Sequence, residues 1–366
     1  MLAFSVLMLY STTAVIALEK YSDELFFVKR QVFAGILGII GLVFTSFLSI
    51  RFLYKISKYL FIIAIILLTL VFIPGLAKKA GGATRWVYLL GFGFQPAEFV
   101  KLCFILFVAG YFSRHEANMK SFTAGILKPF VCVGFLAFLL LLQPDFGTSA
   151  VLAGITLCLV IVMGARFSHI AACMGFLILT MSALVYTSPY RMKRLVAFLD
   201  PFEDQSGSGY QLIQSLIAVA SGKLTGMGLG SSQQKLYYLP AAHTDFIYAI
   251  IAEELGFLGA FLILFSFLVF LALGLHLAKR LIFDSFAYSL CIGLTLLICM
   301  PAFINVGVVT GMLPTKGLVL PLVGYGGTCV LVSLTAIGIL LSLIKYSRKH
   351  ERHIRTLKIK HESNVC

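Results

Sequence analysis

The chain has 366 residues, 60% of them hydrophobic and 12% charged, with a formal net charge of +14 and a mean hydropathy of +0.99. A soluble domain carries about 25% charged residues and a bilayer span needs an apolar run of about 20, so an ordinary soluble enzyme is excluded and a polytopic membrane protein is expected. The basic excess sits at the ends of apolar runs and in the C-terminal tail, a pattern of membrane orientation and anionic-lipid contact that speaks against nucleic-acid binding.

Inside lipid the backbone must satisfy its own hydrogen bonds, and these runs are helix-length without the two-residue alternation of barrel strands. The expected fold class is an all-α polytopic membrane protein of about ten transmembrane helices. In chain order the runs fall at 2–18, 32–50, 59–76, 97–113, 124–142, 146–164, 168–187, 245–275, 284–308 and 318–344. The first lacks a basic n-region and reads as a span, not a cleaved signal. Cys103, Cys132, Cys158, Cys173, Cys291, Cys299 and Cys329 fall within the runs and Cys366 in the tail, with no C-x-x-C pair. They read as small core residues, not as a disulfide framework or metal site.

An even span count puts both termini on one side. Loops sharing that side hold Arg51, Lys55, Lys58, Arg114, Lys120, Arg166, Lys279 and Arg280, and the tail runs from Lys345 to Lys360, so this side is expected to be cytoplasmic. The chain then divides into a transmembrane domain, 1–344, and a basic cytoplasmic tail, 345–366. On the outer side, basic residues collect in two loops. Residues 77–98 hold Lys78, Lys79, Arg85 and Trp86, and part of this loop suits a position flat on the membrane. Residues 188–243, between the seventh and eighth spans, hold Arg191, Lys193 and Arg194 and form the one large extracytoplasmic loop. Its QLIQSLIAVA stretch is helical in pattern but too short to span, and reads as interfacial or re-entrant.

The densest chemistry lies at 233–256, where a polar loop runs into an apolar helix. Thr244 and Asp245 suit a helix N-cap, and Asp245 equally suits a general base at a membrane-water boundary. On one continuous helix Glu253 falls about 80° round from Asp245 and about 12 Å deeper, with Glu254 nearly opposite. Glu253 is therefore expected to form a buried structural ion pair, and the separation does not suit a two-acid hydrolase. Glu98 and Lys101, at i and i+3, can pair internally, or Lys101 can join Arg85 and Arg194 in lining a diphosphate site. Asp145 in QPDFGT reads as turn chemistry. Residues 222–230, GKLTGMGLG, lack the phosphate-loop pattern and read as a flexible segment. His350, His353 and His361 form no compact metal motif. Lys316 is expected at the outer mouth of the last span, with Gly324, Gly326 and Gly327 inside it permitting close helix approach or a broken helix.

GATRW at 82–86, FQPAEFVK at 94–101, QPDFGT at 143–148, RLVAFLDP at 194–201, GYQLIQSLIAVASG at 209–222, LPAAHTDFIYAIIAEELG at 239–256 and LPTKGLVLPLVGYGG at 313–327 together resemble the SEDS (FtsW/RodA/SpoVE) family of bacterial membrane proteins. The resemblance implies ten spans, cytoplasmic termini, residence in the cytoplasmic (inner) membrane and peptidoglycan glycosyltransferase activity, polymerising lipid II at the outer face. It implies that Asp245 takes the proton from the acceptor sugar's 4-hydroxyl while that oxygen attacks C1 of the donor and undecaprenyl diphosphate leaves. Substrate-binding roles are expected for Arg85, Gln95, Glu98, Lys101, Asp145, Arg194, His243, Thr244 and Lys316, and structural roles for Glu253, Gly324, Gly326 and Gly327. No cofactor is fixed; a divalent cation, Mg or Mn, is the one candidate for assisting the cationic side chains. The implied partners are lipid II, the nascent glycan strand, a class B penicillin-binding protein with other divisome proteins, and membrane lipids. The QQKLYYLPAAHTDFI wording is closer to division and sporulation members than to the elongation member, which implies a division role. The chain departs from the family pattern at Tyr237 and Ala241, where acids are usual, and at Gly324, where serine is usual. A lipid II flippase and a non-catalytic scaffold are the competing readings. A flippase is expected to carry comparable polar groups at both faces and often inverted repeats, and neither is visible in the sequence.

Overall fold

The computed structural model describes residues 1–73, 77–80, 83–89, 92–201, 209–235 and 238–363. Its helices are α1 (Leu2–Tyr21), α2 (Phe26–Ser46), α3 (Ile50–Thr69), α4 (Pro96–Arg114), α5 (Lys128–Leu142), α6 (Phe146–Val162), α7 (Phe167–Tyr186), α8 (Pro189–Leu199), α9 (Tyr210–Ser221), α10 (Ile247–Arg280), α11 (Ser285–Val309) and α12 (Gly327–Ser363). Among the described residues nine helices are long and apolar enough to cross a membrane. The tenth expected span, α6, has 17 residues, the lower limit for a crossing of roughly 17–25 residues. The centre is built from α4, α11 and α12, whose apolar windows are 67%, 72% and 67% buried, whereas only 17% of that of α2 is. Helix α12 packs along α2, and α4 lies against α3 and α11. Large apolar side chains left on the outside, such as Phe44, Phe176, Leu258 and Leu262, are at home against lipid tails.

The structure extends or corrects four sequence expectations. The 77–98 loop is a three-stranded antiparallel sheet of β1 (Ala77–Ala80), β2 (Ala83–Leu89) and β3 (Phe92–Phe94), with Lys78 opposite Trp86 and Tyr88 opposite Gly93. Residues 318–326 are not the start of the last helix; they run as irregular chain, and the helix begins at Gly327. That helix then continues to Ser363 without a break at 344–345. The fourth correction concerns α10, which is broken at Gly256, where φ is 69° and ψ −169°.

The break comes with a full exchange of hydrogen bonds. The Phe257 and Leu258 N–H groups, which an unbroken helix would direct at Glu253 and Glu254, donate instead to Lys223 O (2.8 Å) and Leu224 O (3.2 Å). The freed carbonyls of Glu253 and Glu254 accept from Met227 N and Gly228 N, both at 3.0 Å. These four groups released at the break are thus satisfied, as a buried backbone requires. Gly226 has φ +82°, and a Cβ there would overlap the Glu254 carbonyl. The glycine-rich stretch is accordingly a fitted clasp on a broken helix and not merely a flexible segment.

Candidate active site

Asp245 lies in the turn at 241–246, before α10 begins. The N-cap of α10 is Phe246, without a side-chain capping bond, so the expectation that Thr244 and Asp245 cap the helix is corrected. The turn is closed through Ala241, whose φ is +56°. Its carbonyl accepts from the N–H groups of Thr244 (3.1 Å), Asp245 (3.2 Å) and Phe246 (3.4 Å), and the Thr244 hydroxyl donates to it as well, at 3.2 Å. This folds the chain so that the Asp245 carboxylate stands at the helix mouth, half-buried.

From α11, the buried Asn305 amide donates to Asp245 O at 2.6 Å and to Leu318 O at 2.7 Å. One side chain thereby pins the aspartate turn to the irregular segment before α12. Gly317 lies directly against the carboxylate: a Cβ there would sit 2.9 Å from Asp245 Oδ2. Farther along, the Tyr325 N–H donates to His243 O at 2.9 Å, and a Cβ on Gly324 would sit 3.0 Å from Thr244 O. Gln31 of α2 holds this stretch from behind, donating to Gly324 O (3.1 Å) and accepting from Gly326 N (3.3 Å). Ser5 of α1 donates to Val323 O at 2.8 Å.

The same segment meets the loop before α6. The Lys316 ammonium lies over the Phe146 ring, 4.4 Å from its centroid, and a Cβ on Gly147 would be 3.1 Å from Leu318 Cδ2. Asp145 is buried and caps α6, accepting from Thr148 N (3.2 Å) and Thr148 Oγ1 (2.9 Å). Arg85 of β2 donates to the carbonyls of Gln143 (3.2 Å) and Pro144. Stretches far apart in sequence, around Arg85, Asp145, Asp245 and Lys316, therefore interlock at one end of the bundle. Burial lowers the pKa of Lys316 from its ordinary value. Burial first, and then the charge of Lys20, does the same for His243, whose ring packs in a triangle with those of Phe27 and Tyr325.

The sequence pattern of the FtsW/RodA/SpoVE family, described as "Cell cycle protein", matches residues 1–349. The chain belongs to this family. It is similar to stage V sporulation protein E of Bacillus subtilis (strain 168), 42% identical over 351 residues that cover 95% of each chain. It is also similar to the probable peptidoglycan glycosyltransferase FtsW of Geobacter sp. (strain M18), 38% identical over 341 residues, 93% of this chain and 92% of that protein. Its fold matches a chain of the solved structure "Structural coordination of polymerization and crosslinking by a peptidoglycan synthase complex", with TM-score 0.72, 27% identity and coverage of 94% and 97%. The rod shape determining protein RodA of Thermus thermophilus shares the fold, with TM-score 0.63, 24% identity and coverage of 93% and 95%.

As an FtsW/RodA/SpoVE-family chain with nine long apolar helices among its described residues, it is a multi-pass membrane protein. Other expected site residues have partners of their own. Lys101 is buried and paired with Glu98 at 2.8 Å, the internal pairing its spacing allows. Gln95 precedes α4, and its backbone N–H donates to Thr328 Oγ1 at 3.1 Å. Arg194 is on α8 with its side chain outside the described residues, as is Tyr237.

The expectation for Glu253 is corrected. The buried ion pair belongs to Glu254, whose carboxylate takes Lys235 Nζ at 2.9 Å and Ser11 Oγ of α1 at 2.7 Å. Glu253 is also buried, but it accepts from the Ser232 hydroxyl and from Gln233 N at 3.2 Å. Asp245 lies in the turn before α10, so no single helical phase relates it to the two acids, and both acids are satisfied by the 232–235 loop. Asn305, Lys235, Ser11 and Gln31 did not stand out in the sequence. For Asn305 the available signal was an amide set in an otherwise apolar span.

Proposed function

We propose that this chain is a peptidoglycan glycosyltransferase that polymerises lipid II, with Asp245 as general base. The observation that carries the reading is the Asp245 carboxylate, half-buried at the mouth of α10 against a glycine, with its own backbone clamped by Asn305. Lipid-linked substrates keep their tails in the bilayer and their sugars in water, so a base at a helix mouth stands at the height of the reacting sugar. The acceptor 4-hydroxyl gives its proton to the carboxylate as its oxygen attacks C1 of the donor. The C1–O bond to the diphosphate breaks, its electron pair leaves with undecaprenyl diphosphate, and the configuration at C1 inverts.

Positive charge stabilises the leaving diphosphate. Lys316 is the best-placed cation among the described residues, since it directly precedes Gly317, which lies against the Asp245 carboxylate. Arg85, spent in part on the Gln143 and Pro144 carbonyls, serves mainly to hold the Asp145 loop, and Lys101 is neutralised by Glu98. Among the described residues no three His, Cys, Asp or Glu side chains gather as a metal site. Any Mg or Mn ion would therefore arrive with the diphosphate and take its ligands largely from phosphate and water. Both termini are in the cytoplasm, the Asp245 end of the bundle faces outward, and a class B penicillin-binding protein of the division machinery is the partner.

Two expected results test this. The purified protein with its cognate transpeptidase, given labelled lipid II, should yield a glycan ladder on a gel. No ladder from the folded, associated pair would move the weight to the flippase or scaffold reading. Lys316→Ala should lower the polymerisation rate on the order of 10²-fold. Because burial lowers the lysine's pKa, its ammonium is lost as pH rises, before the ordinary lysine value of about 10.4 is reached. The wild-type rate should accordingly fall on the alkaline side, and Lys316→Arg, which stays charged, should hold its rate to higher pH. Identical alkaline limbs in wild type and Lys316→Arg would remove Lys316 from the reaction.

A further inference from the structure

At the opposite end of the bundle, between the last turns of α10 and the middle of α12, lies a groove of ≈ 390 Å³. Leu277, Leu340 and Ile344 are among its apolar walls, and His276, Arg280, Ser347 and Arg348 also line it. Three features stand together here. The walls are apolar enough for an acyl chain. Two arginines and a histidine from two different helices converge on the same groove. Ser347 is 2% exposed, and its hydroxyl has no hydrogen-bond partner among the described residues.

A buried hydroxyl without a partner is costly, and such a group is commonly completed by a ligand or a water. Arginine presents paired donors to a phosphate oxygen, and basic pockets between transmembrane helices are where acidic lipid headgroups bind. The acidic group that faces these arginines is Glu351, 3.8 Å from Arg280 Nη1, in a pair with both side chains more than 40% exposed. Such an exposed pair contributes little, so it does not compete strongly with a phosphate diester. The neighbouring His350 is stacked on Phe283 at 3.6 Å and stays out of the groove lining.

We propose that this groove is a binding site for an anionic glycerophospholipid, with an acyl chain along the apolar walls and the phosphate held by Arg280 and Arg348, the Ser347 hydroxyl donating to it. A free phosphate would leave the apolar walls uncovered, and a partner's apolar helix would leave the arginines and Ser347 unmatched. Placing this lipid in the inner leaflet rests on the orientation proposed above; the binding itself does not.

The test is native mass spectrometry of the delipidated full-length protein with added phosphatidylglycerol or phosphatidylcholine. Wild type should retain phosphatidylglycerol with a preference on the order of tenfold, the effect expected of two arginines near a headgroup. Arg280→Gln with Arg348→Gln should abolish that preference. Lys55→Gln with Lys58→Gln, which removes two exposed charges elsewhere, should keep it. Equal retention of the two lipids by wild type, an undiminished preference in the arginine variant, or an equal loss in the lysine variant would each overturn the site. Since the readout is lipid retention, absence of a glycan ladder would count against the polymerase assignment and leave this result untouched.

Discussion

Asp245→Asn is expected to abolish glycan-ladder formation, a loss on the order of 10²–10⁴-fold, while leaving the protein folded and able to associate with its transpeptidase. The substitution nearly keeps side-chain volume while removing the negative charge and with it the capacity to take a proton. The turn that carries the residue is held through backbone groups: the Ala241 carbonyl accepts the Asp245 N–H, and Asn305 donates to the Asp245 carbonyl. None of these contacts uses the carboxylate. The measurement is the lipid II ladder assay with wild type and variant side by side, together with co-purification of the partner. A variant that polymerises at the wild-type rate would defeat the general-base assignment and favour a scaffold.

Lys235→Met should cost about 3–5 kcal/mol of stability, the penalty for stranding one partner of a buried ion pair. Glu254 is completely buried, with side-chain exposures of 9% and 0% for the pair. Lys235 also donates to Ser11 Oγ at 3.1 Å, and that hydroxyl donates in turn to Glu254. The network joins α1, the loop before the aspartate turn and the broken α10. Its loss should appear as a large drop in the detergent-solubilised melting temperature. Adding Glu254→Gln to Lys235→Met removes the stranded charge and should recover much of the loss. A single variant melting like wild type would show that the pair contributes little, and a double variant no better than the single would show that the lysine stem's packing, not its charge, is what matters.

The candidate site was partly legible in the sequence. Asp245 and Lys316 stood out because charge at the edge of an apolar run is expensive and needs a reason. Their meeting with the Asp145 loop was not visible, since Gly147 touches Leu318 across more than a hundred residues of chain. Arg85 was singled out as an anion ligand; that it donates to the carbonyls of Gln143 and Pro144 depends on a sheet with no strong local signal.

By itself the sequence determined the membrane class, the helical character and the approximate position of nearly every span. These depend on the transfer free energy of each segment into lipid, which is a sum over local residues. Tertiary structure alone decided that α10 breaks at Gly256, that the last helix starts at Gly327, and that Glu254, not Glu253, holds the ion pair. The reason is physical: hydropathy is blind to where a backbone group finds its partner. The immediate neighbours of Gly256, Leu255 and Phe257, are both apolar, and the break exists only because the 223–228 segment supplies the hydrogen bonds that the helix gives up. Likewise Glu254 is satisfied by Ser11, 243 positions away in the chain, a pairing that exists only once α1 and α10 are side by side.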